Sequence, residues 1–334
     1  MIDAVFGYAP GKVILFGEHA VVYGQPAVAA TIDRGIRVAV TARSSALGGP
    51  GPVLRSHSLL GPAASRARPD SAEGSADGEG PERLRQALAV FVDICGERTR
   101  DLLFSVDGAI PAGAGLGSSA ALAVAMIRGV HRFFDEPPLG IDALVERAFA
   151  LERVFHGNPS GVDHSVIARG GCFYYQREPS SSASAIDRVK LARRLRIAVA
   201  IAGAHAGTAT AVSSLRERSN RHPAHYHRLY QGIGELAKAA RGHLEEGALG
   251  AVGELMDVNQ GYLNALGVST PAIEALCSIA RERGALGAKL SGAGGGGAVI
   301  ALVDDDPAPI VHAFEAAGYQ SFAAEIATDT QETP

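Results

Sequence analysis

The stretch Ala112–Ala123, AGAGLGSSAALA, places three glycines in five residues (Gly113, Gly115, Gly117) ahead of two serines and an apolar run of helical character. A loop this rich in glycine can expose successive backbone N–H groups at close range. Ser118 and Ser119 fall where the helix begins, and the positive end of a helix dipole favours anions. The segment reads as a cradle for the phosphates of a nucleotide. Taken alone it reads equally well as a helix with a glycine-rich entry turn and ordinary serine caps.

The rest of the chain bounds that choice. Its 334 residues are 47% hydrophobic and 20% charged, enough apolar material for one large domain or two medium ones. The net charge of −4 offers no general basic field for nucleic acid or anionic lipid, so an anionic substrate must meet local cations. Cys95, Cys172 and Cys277 are widely spaced with no metal or disulfide pattern, which suits a reducing compartment. No uncharged apolar run reaches ~18 residues, and MIDAVFGYAPGKV lacks the features of a signal peptide. The expectation is a soluble, cytoplasmic protein.

Before the glycine loop, residues 10–43 alternate glycine-bearing turns with short β-branched runs (KVILF, AVAATI, GIRVAVTA), which predicts strands joined by turns. Residues 44–81 shift to Gly, Pro, Ser and Ala, predicting a long mobile excursion with a short strand at Val53–Ser56. A helix over Arg83–Cys95 and a strand over Leu102–Val106 complete the approach to the loop. After it, a helix over Ile141–Phe155 has computable geometry. At 100° per residue, Leu144, Ala148, Leu151 and Phe155 lie within about 60° of one another and form the buried stripe. Glu152 lies only about 80° from Leu144, on the inward shoulder of that stripe. A carboxylate there needs a partner, whether a salt-bridging Arg, another cation or a metal.

HGNPSGVD (156–163) reads as a turn, Gly170–Tyr175 as a strand and Pro179–Ala185 as a linker. A strand at Leu195–Ala202, three or four helices between Thr210 and Arg283, the run LSGAGGGGAVIALV, a helix near Ile310–Ala317 and a last strand follow. Gly292, Gly294 and Gly297 fit G-x-G-x-x-G, but a β-branched run follows where a dinucleotide site needs a helix. APGK is no Walker motif either, because Phe6 stands at the first glycine position and Val13 follows the lysine.

Three pieces, APGKVILFGEH (Ala9–His19), PAGAGLGSSAA (Pro111–Ala121) and KLSGAGGGG (Lys289–Gly297), resemble in order and spacing the three signature motifs of the GHMP kinase superfamily. Within it, APGKVILFGEHAVVYGQPAVA and ERVFHGNPSGVD are most similar to members that phosphorylate mevalonate. The resemblance implies an α+β, two-domain GHMP kinase fold, residues 1–182 and 183–334, with the active site in the interdomain cleft. It implies ATP-dependent phosphorylation of the 5-hydroxyl of mevalonate, with Mg²⁺ as cofactor, and a family that is often dimeric.

It also implies roles residue by residue. Pro111, Gly113, Ala114, Gly115, Leu116, Gly117, Ser118 and Ser119 wrap the ATP phosphates, and Ser119 and Glu152 hold Mg²⁺. Glu152 precedes Asp163 by eleven residues, the family's spacing between metal ligand and catalytic aspartate. Asp163 accepts the proton of the substrate hydroxyl, and Lys12 keeps it ionised and stabilises charge on the transferred group. Glu18 and His19 contact substrate, with Thr208, Thr210 and Gly292 assisting. Without the resemblance, Asp163 reads as a helix cap, Lys12 as a solvated strand-start lysine and His19 as a surface residue. One departure is His164, which stands where the family commonly has Asn. The rival readings are a phosphomevalonate kinase, a mevalonate kinase of different regiochemistry, and a catalytically silent nucleotide-binding sensor.

Overall fold

The structure, a computed structural model, describes residues 4–43, 51–56, 79–156, 161–177, 184–203 and 208–328. The strands are β1 (Val5–Phe16), β2 (Ala27–Ala42), β3 (Val53–Ser56), β4 (Leu102–Gly108), β5 (Cys172–Arg177), β6 (Ser184–Arg188), β7 (Leu195–Ile201), β8 (Gly287–Ser291), β9 (Ala298–Val303) and β10 (Ser321–Ile326). The helices are α1 (Glu79–Cys95), α2 (Ser118–Phe133), α3 (Ile141–His156), α4 (Val162–Arg169), α5 (Thr208–Arg221), α6 (Pro223–Glu246), α7 (Leu249–Ala265), α8 (Pro271–Glu282) and α9 (Ala308–Ala316). None of these helices is long and apolar enough to cross a membrane. The chain forms two compact units. Unit 1 is Met1–Gly11, Arg34–Ala112 and Gly117–Arg169; unit 2 is Lys12–Asp33, Gly113–Leu116 and Gly170–Pro334.

In unit 1, Ile36–Ala42 of β2 pairs antiparallel with β4, and β3 runs parallel to β4 on its other side. The inward residues Val38, Val40, Phe104 and Val106 are buried, and Phe91 of α1 meets Phe104 edge to face at 5.4 Å. Helices α2, α3 and α4 pack on one another, and α1 packs on α3. Leu144, Ala148 and Leu151 form the buried stripe that their spacing predicts, while the Phe155 side chain lies outside the described residues. The expected strand at Val53–Ser56 is present as β3; residues 44–50 and 57–78 lie outside the described residues.

One expectation is corrected here. AVAATI and GIRVAVTA are not two strands separated by a turn but one 16-residue strand, β2. Gly35 stays extended because its missing side chain is needed for a close crossing. A Cβ there would stand 2.2 Å from the Ala9 carbonyl oxygen and 2.8 Å from Pro10 Cα.

In unit 2, β10, β7, β9 and β8 form an antiparallel sheet in that order. β8 and β9 are buried throughout; β9 is an unbroken apolar run, whereas β8 carries the buried Lys289 and Ser291. Ala27–Ala30 of β2 pairs with β5, and β5 with β6. The linker expected over Pro179–Ala185 lies mostly outside the described residues, but Ser184 and Ala185 already belong to β6. Four helices, α5 to α8, follow β7, as the spacing predicts. Ile233, Leu263, Leu276, Leu290 and Phe314 lie at the centre of the core.

Helix α7 lies against β8 with no side-chain layer at one point. A Cβ on Gly287 would meet the Gly253 carbonyl oxygen at 2.0 Å, and one on Gly253 would meet that of Leu286 at 2.2 Å. The strand that follows LSGAGGGG is β9, so the dinucleotide reading fails on structure as it does on sequence.

All three cysteines are buried and unpaired. Burial pushes the Cys95 thiol up to about 11 and those of Cys172 and Cys277 up to about 12. The thiolate is the reactive form, so at pH 8 a disulfide reagent such as DTNB is expected to label native protein only as fast as it opens. In denaturant all three should react at once. Rapid labelling of one thiol in the native state would contradict this burial.

Candidate active site

The residues of the three motifs that lie in unit 2 are knitted together by the backbone. The Lys12 N–H donates to the Leu116 carbonyl (3.0 Å), and the Ala298 N–H donates to that of Ala114 (2.9 Å). The Ile14 N–H donates to Ser291 Oγ (2.9 Å). Gly113 and Gly115 have φ of 69° and 77°, conformations that side chains disfavour. A Cβ on Gly115 would stand 3.1 Å from the Ser291 carbonyl oxygen, and one on Gly292 would stand 3.5 Å from Gly115. Ala114 and Leu116 are buried between these glycines, so their side chains anchor the loop. Lys12 is 2% exposed within β1, which excludes a solvated strand-start lysine.

The turn after β1 carries strain. His19 is a non-glycine residue at φ 59°, and its Nε2–H donates to the Ala293 carbonyl at 2.9 Å. It is buried rather than a surface histidine. Beside it, the Glu18 carboxylate is wholly enclosed. Oε1 pairs with Lys289, and Oε2 accepts from Asn259 Nδ2 at 3.1 Å. The Lys289 ammonium also donates to the Leu290 carbonyl at 2.6 Å. Burial pushes its pKa down, against the opposing pull of Glu18. Both Glu18 oxygens are thus engaged by protein, and the carboxylate holds the turn that carries His19. Next to Asn259, Gln260 accepts from the Leu290 N–H (2.9 Å) and donates to Glu274 (2.9 Å).

Sequence reasoning missed Lys289, Asn259 and Gln260. The signal available was the adjacent polar pair inside the apolar helix α7, and the lysine at the head of KLSGAGGGG.

In unit 1 the helix that follows the loop begins with Gly117 as N-cap (φ 73°), with no side-chain capping bond. Ser118 and Ser119 are the first two helical residues, so neither is the ordinary cap of the bland reading. The first N–H groups of α2 lack intrahelical acceptors, as at any helix start. Ser119 is half-buried and lines a narrow apolar pocket with Leu88, Phe91, Met126 and Leu151.

Glu152 is 3% exposed, inward as its helical angle predicts. Its partner is a histidine and not an arginine: His164 Nδ1 lies 2.6 Å from Glu152 Oε2, and both side chains are buried. The His164 ring packs on Phe149 at 4.8 Å. Asp163 sits in the first turn of α4, half-buried, where the helix dipole favours a carboxylate. Unit 1 thus carries Ser119, Glu152 and Asp163 on three mutually packed helices. Pro111 precedes the loop in unit 1. Thr208 and Thr210 lie in the first turn of α5, with side chains outside the described residues.

Residues 83–171 match the family GHMP kinases N terminal domain, and residues 237–320 match GHMP kinases C terminal. The chain belongs to the GHMP kinase family. Within that family it is 33% identical to a mevalonate kinase of Thermococcus sibiricus, over 97% of each chain. It is 34% identical to a mevalonate kinase of Pyrococcus abyssi, over 94% of this chain and 93% of the relative. The crystal structure of L. major mevalonate kinase in complex with R-mevalonate superposes with a TM-score of 0.81 at 28% identity, covering 98% of this chain and 96% of that one.

Proposed function

We propose that this chain transfers the γ-phosphoryl group of ATP to the 5-hydroxyl of mevalonate. The observation that carries the reading is near-full-length likeness to proteins named mevalonate kinase, in a chain that keeps Lys12, Glu152 and Asp163. The two family matches fall on either side of residue 182, which supports an N-terminal domain over 1–182 and a C-terminal domain over 183–334.

Phosphoryl transfer asks a protein mainly for positioning and charge neutralisation. Asp163 accepts the hydroxyl proton as the substrate oxygen bonds to the γ-phosphorus and the bond to the ADP oxygen breaks. Lys12, buried and cationic, stabilises the charge that develops on the transferred group. The loop Gly113–Ser119 presents its backbone to the phosphates. His19, fixed by Ala293 and by the Glu18–Lys289 pair, orients the substrate.

Mg²⁺ suits the donors present: a hydroxyl and a carboxylate are hard oxygens, and Mg²⁺ takes few protein ligands beside phosphates and water. Among the described residues only Oε2 of Glu152 takes a hydrogen bond, so Oε1 is open to a cation. When bound, the metal neutralises charge on the phosphates. Ser119 and Glu152 are the residues to hold it.

A phosphorylated substrate would need a further free cation near His19. Lys289, linked to that turn through Glu18, is already paired with a carboxylate. The test is ADP release from purified protein offered mevalonate, phosphomevalonate, homoserine or galactose in turn. Turnover is expected on mevalonate; turnover on phosphomevalonate alone would overturn the assignment.

A further inference from the structure

We propose that His164 is a positioning residue for the metal-binding carboxylate, clamping one oxygen of Glu152 so that the other faces the cation. The inference rests on the reading of Glu152 as a metal ligand given above. A carboxylate carries no proton to give, so at 2.6 Å the contact is a donation from the His164 Nδ1–H to Oε2. The acceptor is charged, which places the bond among the stronger ones. Among the described residues it is the sole hydrogen bond to the Glu152 side chain, and Oε1 takes none. A carboxylate on a three-bond side chain, held at one oxygen, presents the other in a fixed direction.

The clamp is itself held. His164 is buried in α4, and its ring rests against Phe149, one turn before Glu152 on α3. The same two helices therefore supply the clamp, the carboxylate and the packing that orients the ring. Asp163 is the adjacent residue of α4, about 100° round the helix. A single hydrogen bond thus ties the backbone that carries the proton acceptor to the side chain that meets the metal. Partners of this kind behind a metal ligand tune affinity, and losing one typically costs about 10–100-fold in metal binding.

The geometry makes a sharp distinction between two amides. The Nδ1 of His is bonded to Cγ, as is the Nδ2 of Asn, whereas the amide nitrogen of Gln stands one bond further out. His164→Asn keeps a donor at the required reach, while His164→Gln and His164→Ala do not. The measurement is the free Mn²⁺ signal in electron paramagnetic resonance as Mn²⁺ is titrated into protein with ADP, beside the Mg²⁺ dependence of turnover. His164→Gln and His164→Ala are expected to weaken Mn²⁺ binding by about 10-fold or more, with kcat at saturating metal little changed. His164→Asn should stay close to the wild type. A Gln variant that fails to fold leaves the decision to the Ala and Asn pair.

Wild-type Mn²⁺ affinity in the Gln or Ala variants overturns the clamp, as does equal weakening in all three. A wild-type protein that binds Mn²⁺ with ADP yet phosphorylates no mevalonate sinks the substrate assignment alone. The titration then still decides the role of His164.

Discussion

Asp163→Asn is expected to lower kcat on mevalonate by about 10²- to 10⁴-fold, the contribution of a positioned proton acceptor. The substitution is nearly isosteric, so the first turn of α4 should survive and the fold with it. What it removes is the capacity to take a proton from the substrate hydroxyl. The helix-dipole contribution of the charge lost at the helix start is about 0.3–1 kcal/mol. ATP affinity, measured by calorimetry, should therefore hold while ADP release collapses. A variant that keeps wild-type turnover would remove Asp163 from the chemistry. One that loses ATP binding as well would show it to be structural.

The second large effect concerns stability. Lys289→Met should destabilise unit 2 by about 3–5 kcal/mol, the cost of leaving one member of a buried pair without its partner. Lys289 and Glu18 are both fully enclosed, so no solvent can take the missing charge's place. The loss should be partly recovered in Lys289→Met combined with Glu18→Gln, because the orphan is then a neutral amide beside Asn259. Urea unfolding of the single and double variants measures this. A single variant within about 1 kcal/mol of wild type would mean that the pair contributes no more than an exposed one.

Asp163 and Glu152 show in the sequence for different reasons. Asp163 is visible because a motif surrounds it, and Glu152 because helical angles alone turn it inward. Its partner was beyond such reasoning: His164 lies on another helix, and periodicity describes one element at a time. Gly35 misled for a related reason. Glycine marks both turns and close crossings, and only the position of Ala9 distinguishes them. Lys289 and Asn259 escaped because burial of a lysine or an amide depends on a partner far along the chain. Most helices and strands and the failure of the dinucleotide pattern are readable, since each depends on local spacing; the continuity of β2 and the start of β6 at Ser184 are not.

The contact of Gly253 with β8 has a consequence for how this protein can vary. Each glycine of the pair faces a backbone atom, and backbone atoms are not altered by substitution elsewhere. A side chain introduced at either position therefore has no compensating change: no second-site suppressor can make room for it. Asn259 and Gln260 lie roughly 9–10 Å further along the same helix, so any slide of α7 that relieved the clash would draw both amides off Glu18 and the Leu290 N–H. Drift among homologous chains should thus be free to alter much of the outer face of α7 while these two glycines persist together.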